Sequence, residues 1–288
     1  MEFAGPRNID SFNPSDLEMI AFLTDLVNEG LSYSAVNTAK AAIINFMACK
    51  NNKIKESVYL SRFMKGVAEK RPSQYKYRAI WDPDQVLDYL RSLPDNDQLS
   101  LSILTKKLAM LAALVTGHRS QTLHLLNTNN IKVTDKCACF TITKALKNKK
   151  ASAPPLVIHF PKFEEDPRVC IWRCLQAYST KTQFLRANSG GALFLTTMKP
   201  YNPAARDTIR NWIKWIMSKS GINVKEYKAH SVRAASTSKA SQSLSIQSIM
   251  KAAGWARSST FANHYRRPIQ GHQDFADAVL RPTTISHV

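Results

Sequence analysis

Four residue types toward the C-terminal end of the chain suit phosphate chemistry: His230-Ser231-Val232-Arg233, then Gly254-Trp255, then Tyr265 in the run Asn263-His264-Tyr265-Arg266-Arg267. A guanidinium holds two phosphate oxygens, an imidazole relays a proton, an indole N–H donates, and a phenol is a nucleophile that needs no metal. Such a site needs a second arginine, and Thr116-Gly117-His118-Arg119 supplies Arg119. His230 and Arg233 are three apart, so in a helix they project from one face. Arg119 follows a helix-ending glycine, where the N–H groups of a new helix would reinforce an anion site. Each residue also has an ordinary reading: a His and an Arg on a surface helix, a Trp and a Tyr filling a core.

The elements that must position these residues can be read from apolar spacing. Residues 15–28 place Leu17, Ile20, Ala21, Thr24 and Val27 on one helical face, and Ser15 with Glu18 forms a capping box. A second helix carries Val36, Ala39, Ile43, Phe46 and Met47, and a third, near 57–69, carries Leu60, Phe63, Met64 and Val67. Residues 1–72 therefore read as a small helical domain, 73–81 as a basic linker, and 82–288 as a second domain with a tail from 268. Lys70, Arg71, Lys76 and Arg78 in or beside the linker suit a phosphate backbone as well as a solubilising role.

In the second domain, helices are expected at 83–93, with Pro83 at its first position, and at 101–116, with Leu104, Leu108, Leu111 and Val115 inward and Gly117 as its cap. A helix from about Arg119 through Leu126 follows, then strands at 130–134, 138–143 and 156–160, with a hairpin tip holding Lys144, Lys147, Lys149 and Lys150. Helices are expected again at 168–186, 203–219, 229–241, 245–253 and 258–266. Within 203–219, Ile209, Trp212, Ile213, Ile216 and Met217 face inward, and Arg206, Arg210 and Lys214 form a basic stripe. The stripe reads as a DNA contact, a solvated face being the alternative. The expected class is mainly α with a small antiparallel β-sheet.

The net charge is +19, from 40 Lys and Arg against 21 Asp and Glu, which points to a polyanionic partner, nucleic acid first. Residues 1–77 hold 10 basic and 8 acidic side chains and the remainder 30 and 13, so the second domain carries most of the excess. No run approaches the roughly 18 apolar residues of a membrane span. The Met1-Glu-Phe-Ala-Gly-Pro start lacks a secretory signal, so a reducing compartment is expected. Five cysteines make no disulfide framework. Cys137/Cys139 and Cys170/Cys174 lack the CxxC spacing of zinc pairs and read as structural thiols. Asp82 with Asp84, and Glu164-Glu165-Asp166, read as a helix start and a solvated loop; no metal and no cofactor is expected.

In chain order, Arg119, Lys147, His230, Arg233, Trp255 and Tyr265 resemble the signature of the tyrosine recombinase (phage integrase) family. Thr116-Gly-His-Arg-Ser-Gln-Thr-Leu-His-Leu-Leu126 looks like its first arginine box. The Gly254-Trp255, Ser258-Ser-Thr-Phe261 and Tyr265 series is most similar to recombinases of eukaryotic DIRS-type mobile elements. Trp255 stands where many bacterial and phage members have His, and its distance to the tyrosine is one residue longer than theirs. The resemblance covers roughly residues 100–268; residues 1–72 match the family's core-binding module in size and helical character alone.

The resemblance implies a site-specific DNA recombinase. Tyr265 attacks the scissile phosphate to give a 3′-phosphotyrosyl bond, Arg119 and Arg233 hold the non-bridging oxygens, His230 assists the proton transfer, and Trp255 donates to the phosphate or packs behind it. Lys147, with Lys144 second, protonates the leaving 5′-oxygen. Duplex DNA is the implied partner, clamped between two domains by a dimer or tetramer, and the nucleus the implied location if the host is eukaryotic. Past Tyr265, the amphipathic run Phe275, Ala276, Val279 and Leu280 docks on a neighbouring protomer or packs on its own domain. The competing readings are a topoisomerase IB-like nicking-closing enzyme and a domesticated DNA-binding protein without catalysis.

Overall fold

The structure, a computed structural model, describes residues 9–10, 13–48, 57–72, 77–143, 154–254, 262 and 265–269. The chain divides into two compact units, residues 1–76 and 77–288. Among the described residues no helix is long and apolar enough to cross a membrane.

Among the described residues the first unit holds three helices, α1 (Asp16–Asn28), α2 (Tyr33–Ala48) and α3 (Val58–Lys70). α1 begins where the capping box requires: Glu18 N–H donates to Ser15 Oγ at 3.3 Å, and Ser15 N–H donates to Glu18 Oε2 at 2.7 Å. Its inward face is not the expected one. Met19 and Leu23 are buried while Leu17 is 75% exposed and Ala21 is exposed as well. α1 carries apolar residues nearly all round, so spacing leaves its rotation open, and contact with α2 and α3 decides it. Val36, Met47, Leu60 and Met64 complete this core, with Ala39, Ile43 and Phe63 at its margin; Phe46 faces outward.

The second unit is built around α5 (Leu101–Thr116), which is buried on almost every side from Leu104 to Ala113. It packs against α7 (Ile171–Thr182), α8 (Arg206–Lys219) and α9 (Ser231–Ala240), with α4 (Pro83–Ser92) on α8 and α9. Ser100 caps its start, and Gly117, at φ +61°, ends it by donating to Ala113 O, a left-handed cap that glycine adopts without strain. Val115, expected inward, is 44% exposed. Beyond Gly117, α6 (Ser120–His124) is shorter than expected. Asn127 stops it by starting a 3-10 turn, its side chain accepting from Asn129 N–H at 2.7 Å.

Among the described residues three strands, β1 (Ile131–Val133), β2 (Cys137–Ile142) and β3 (Leu156–Pro161), form an antiparallel sheet in that order. Side chains alternate along β2: Ala138, Phe140 and Ile142 are buried with Ile158 and Phe160 of β3, while Cys137, Cys139 and Thr141 lie on the other face. The helix expected at 168–186 starts only at Ile171, because Pro167–Val169 is a 3-10 turn capped by Asp166. That expected at 203–219 starts at Arg206, since Pro203 bridges to Leu195. α10 (Ile246–Ala253) runs from its Ser245 cap to Gly254, at φ +68°.

The stretch 77–81 is not a linker. Ile80 and Trp81 are fully buried within the second unit, Ile80 N–H donates to Pro268 O at 2.8 Å, and Ile80 bridges Ile269 in parallel. Their apolar side chains outweigh the basic tract just before them.

Candidate active site

The site is assembled from the ends of helices. Arg119 occupies the N-cap position of α6, directly after the turn that Gly117 makes at the end of α5, and its side chain is exposed. His230 occupies the N-cap position of α9, and Arg233 follows on the first turn. Tyr265 comes from the far end of the chain and is 6% exposed.

These four side chains converge. Arg119 Nη2 donates to the Tyr265 hydroxyl at 2.9 Å, and that hydroxyl lies 3.4 Å from His230 Nε2. The His230 and Tyr265 rings meet edge to face with centroids 5.9 Å apart. The Arg233 guanidinium stands 5.2 Å from the centre of the Tyr265 ring, within cation–π range. With its proton on Nδ1, His230 can accept the phenolic proton at Nε2.

Arg233 is 4% exposed, and the backbone holds it. Its Nη1 donates to Gly117 O at 2.6 Å and its Nη2 to Ala253 O at 2.9 Å. Both carbonyls lie at helix C-termini, which lack intrahelical partners and carry partial negative charge, so a cation belongs there. Burial draws this guanidinium down to about 10, with Tyr265 opposing the shift and Arg119 adding to it, so it stays cationic at neutral pH.

His118 lies beside it, 8% exposed. Burial first, then the charges of Arg233 and Arg119, lower its imidazole to about 4, so at neutral pH it is uncharged. Gly254 packs so closely here that a Cβ would lie 3.3 Å from His118 Cε1, and its positive φ independently favours glycine.

Two further side chains, Ser238 and Trp81, support the site. Ser238 Oγ donates to Tyr265 O at 2.8 Å and accepts from Arg267 N–H at 3.0 Å, fixing the backbone on both sides of the tyrosine. Trp81 Nε1 donates to Ser231 Oγ at 2.8 Å, tying the 79–81 segment to the residue after His230. The same segment pairs with Pro268 and Ile269, so one short stretch braces both the His230 corner and the chain leaving Tyr265.

A cleft of about 210 Å³ opens in front of this cluster, lined by His118, Arg119, Arg206, Arg210, His230 and Arg233 among others. Arg206 and Arg210 of the basic stripe thus reach the same cleft, although both pair with Asp207, at 3.3 Å each. Lys214, two turns along α8 from Arg206, is exposed. Lys70 ends α3 with its side chain exposed, and Arg71 caps that helix and donates from Nη1 to Leu31 O at 3.1 Å, an attachment within its own unit. Arg78 is exposed in the second unit. Lys76, Lys144, Lys147, Lys149, Lys150 and Trp255 lie outside the described residues, as do Phe275, Ala276, Val279 and Leu280.

One grouping runs against the sequence reading. Cys170 and Cys174 are the buried thiols expected, but Cys137 and Cys139 are partly exposed on the outer face of the sheet, beside His159.

This mainly helical domain with a small three-stranded antiparallel sheet has the architecture of tyrosine recombinase catalytic domains. The profile of the Phage integrase family matches residues 83–272, two thirds of the chain, and the chain belongs to that family. Among solved structures, XerH site-specific recombinase bound to palindromic difH substrate superposes with a TM-score of 0.60 at 16% identity, over 88% of this chain and 68% of that one. The Tn1549 transposon integrase in complex with transposon right end DNA gives 0.56 at 14% identity, covering 91% and 82%. A lambda integrase dimer bound to a COC′ core site gives 0.51 at 17%, covering 89% and 81%. At these identities the likeness is one of fold. No curated protein sequence matches the chain.

Proposed function

We propose that this protein is a site-specific DNA recombinase that cuts and rejoins duplex strands through a covalent bond to Tyr265. The observation that carries the reading is the position of the Tyr265 hydroxyl, 2.9 Å from an Arg119 donor and 3.4 Å from His230 Nε2, with Arg233 beneath its ring. A phenol that only filled space would not need two arginines and a histidine about it.

In the reaction, Tyr265 Oη forms a bond to the scissile phosphorus as the bond to the 5′-oxygen breaks. The phenolic proton passes toward His230, and the departing 5′-oxygen takes up a proton from a general acid, the role proposed for Lys147. Arg119 and Arg233 stabilise the charge that grows on the non-bridging oxygens, where fixed donors act most strongly. Trp255 offers an N–H to the same phosphate. The phosphotyrosyl bond keeps the energy of the phosphodiester, so a 5′-hydroxyl from another strand can attack it without ATP.

On this reading duplex DNA lies along the cleft, with Arg206, Arg210, Lys214 and Arg78 toward its backbone, joined by Lys144, Lys149, Lys150, Lys70, Arg71 and Lys76. The solved relatives support it: each is a recombinase or integrase held on DNA, one of them as a dimer. We extend the proposal to a protein that assembles as a dimer or tetramer on its site, serves a mobile element of the eukaryotic DIRS type, and works in a nucleus.

The test is a suicide substrate: duplex carrying the element's terminal repeats, with a nick just beyond the scissile phosphate so that the freed fragment diffuses away. Wild-type protein is expected to yield a denaturant-resistant adduct and Tyr265→Phe none. An adduct of undiminished yield with Tyr265→Phe would reject the reading.

A further inference from the structure

The outer face of the sheet carries a side-chain group that the cleft does not use. β2 and β3 are antiparallel with Cys139 opposite His159 and Cys137 opposite Pro161. Because strand side chains alternate, Cys137 and Cys139, two apart, share the face turned away from the core, and the pairing sets His159 beside them. Cysteine is among the residue types most often buried, and Cys170 and Cys174 follow that rule with no exposed surface. Cys137 and Cys139 depart from it, and they do so together and next to an imidazole.

The distances among the three are those of a coordination shell. Cys137 Sγ and Cys139 Sγ are 3.6 Å apart, and His159 Nδ1 lies 3.2 Å from Cys139 Sγ and 3.9 Å from Cys137 Sγ. A tetrahedral zinc ion, with bonds of about 2.3 Å to sulfur and about 2.0–2.1 Å to nitrogen, needs roughly 3.8 Å between sulfurs and roughly 3.6 Å from sulfur to nitrogen. The sulfur pair is within about 0.2 Å of that edge, and the two sulfur–nitrogen distances straddle theirs. Movements of a few tenths of an ångström, small beside the freedom of half-exposed side chains, would seat an ion.

We propose that Cys137, Cys139 and His159 form a binding site for a zinc-class divalent cation on the outer face of the sheet. Two thiolates and an imidazole are the soft and borderline donors that select zinc over magnesium or calcium, and loading releases two thiol protons to solvent. Among the described residues the group has three ligands. The fourth tetrahedral position then falls to water or to a donor from elsewhere in the chain. The ion would tie β2 to β3 near the end of the hairpin away from 143–155, with Cys139 and His159 three residues from where the chain leaves into that lysine-rich segment and Cys137 five. Its effect would be to fix the register of β2 against β3. The site is independent of the cleft chemistry, so neither reading depends on the other.

Co²⁺ is the probe, because tetrahedral cobalt bound by thiolate absorbs in the visible and gives a sulfur-to-metal band in the near ultraviolet. Full-length protein, reduced and stripped with a chelator, is expected to develop both bands up to stoichiometric Co²⁺ and to lose them as Zn²⁺ is added. Cys139→Ser and Cys137→Ser should each abolish the sulfur band or cut it by at least half, and His159→Gln should shift the visible bands, all with an unchanged far-ultraviolet circular dichroism spectrum. Zn²⁺ should also raise the melting temperature of the wild type and leave that of the Cys137→Ser/Cys139→Ser double variant where it was. Absence of both bands from the reduced wild-type protein at stoichiometric Co²⁺ would overturn the proposal, and so would bands of undiminished strength in the double variant.

Discussion

The floor and the rim of the cleft use the same kinds of side chain in different ways. On the floor, Arg233 and His118 are buried, with Tyr265 buried against Arg233 behind them, and neighbouring groups fix all three: two helix-end carbonyls hold Arg233, Gly254 leaves room for His118, and the Ser238 hydroxyl bridges the chain about Tyr265. On the rim, Arg119, His230, Arg206 and Arg210 are exposed. A floor residue therefore serves fold and chemistry at once, while a rim residue can be changed for its chemistry alone.

That contrast breaks most visibly at the two arginines. Arg233→Ala should lower strand cleavage by about 10²–10³-fold, as loss of a charge-stabilising donor does. It should also cost about 2–4 kcal/mol of stability, because Gly117 O and Ala253 O lose their charged partner. Arg119→Ala should show a comparable loss of cleavage, with stability changed by less than about 0.5 kcal/mol. Cleavage kinetics paired with urea melts check both. Equal destabilisation by the two variants would dissolve the distinction.

A second effect belongs to the floor alone. Because the native His118 pKa of about 4 lies below its ordinary 6.5, the unfolded chain binds a proton there that the folded chain refuses. This contribution to stability is complete above pH 6.5 and is lost as pH falls toward 4, for a total of about 3 kcal/mol. His118→Asn should flatten that part of the stability–pH curve, measured by urea melts from pH 7 to about 4. An identical slope in variant and wild type would contradict the burial of a neutral imidazole.

Smaller still, Ser238→Ala should destabilise by about 1–2 kcal/mol through two lost hydrogen bonds. It should slow cleavage while leaving affinity for DNA unchanged, as expected of a residue that positions the nucleophile through its backbone. At the rim, Arg206→Ala and Arg210→Ala should each reduce the slope of log K against log salt by about 1, with little change in melting temperature. Filter binding at several salt concentrations measures that slope.

Much of this was legible in the sequence where the signal is local. The cap at Ser15, the helix start at Asp82-Pro83, the glycine ends at Gly117 and Gly254, and the core face of α8 are all written in short-range spacing. So is the placing of His230 and Arg233 on one turn. What the sequence hides depends on partners distant in the chain. Trp81 meets Ser231 across 150 positions, Ser238 meets Tyr265 across 27, and His159 joins the two cysteines only through the register of β2 and β3. The rotation of α1 was hidden for another reason, since apolar residues on every side give periodicity nothing to choose between.

The central claim is that Tyr265 is the nucleophile, and peptide mapping of the trapped covalent complex tests it most directly. Digestion with trypsin and nuclease should leave a nucleotide joined through a 3′-phosphate to the peptide Ser258–Arg266, with fragmentation placing it on Tyr265. A nucleotide on any other residue, or none on this peptide from an active preparation, would contradict the account.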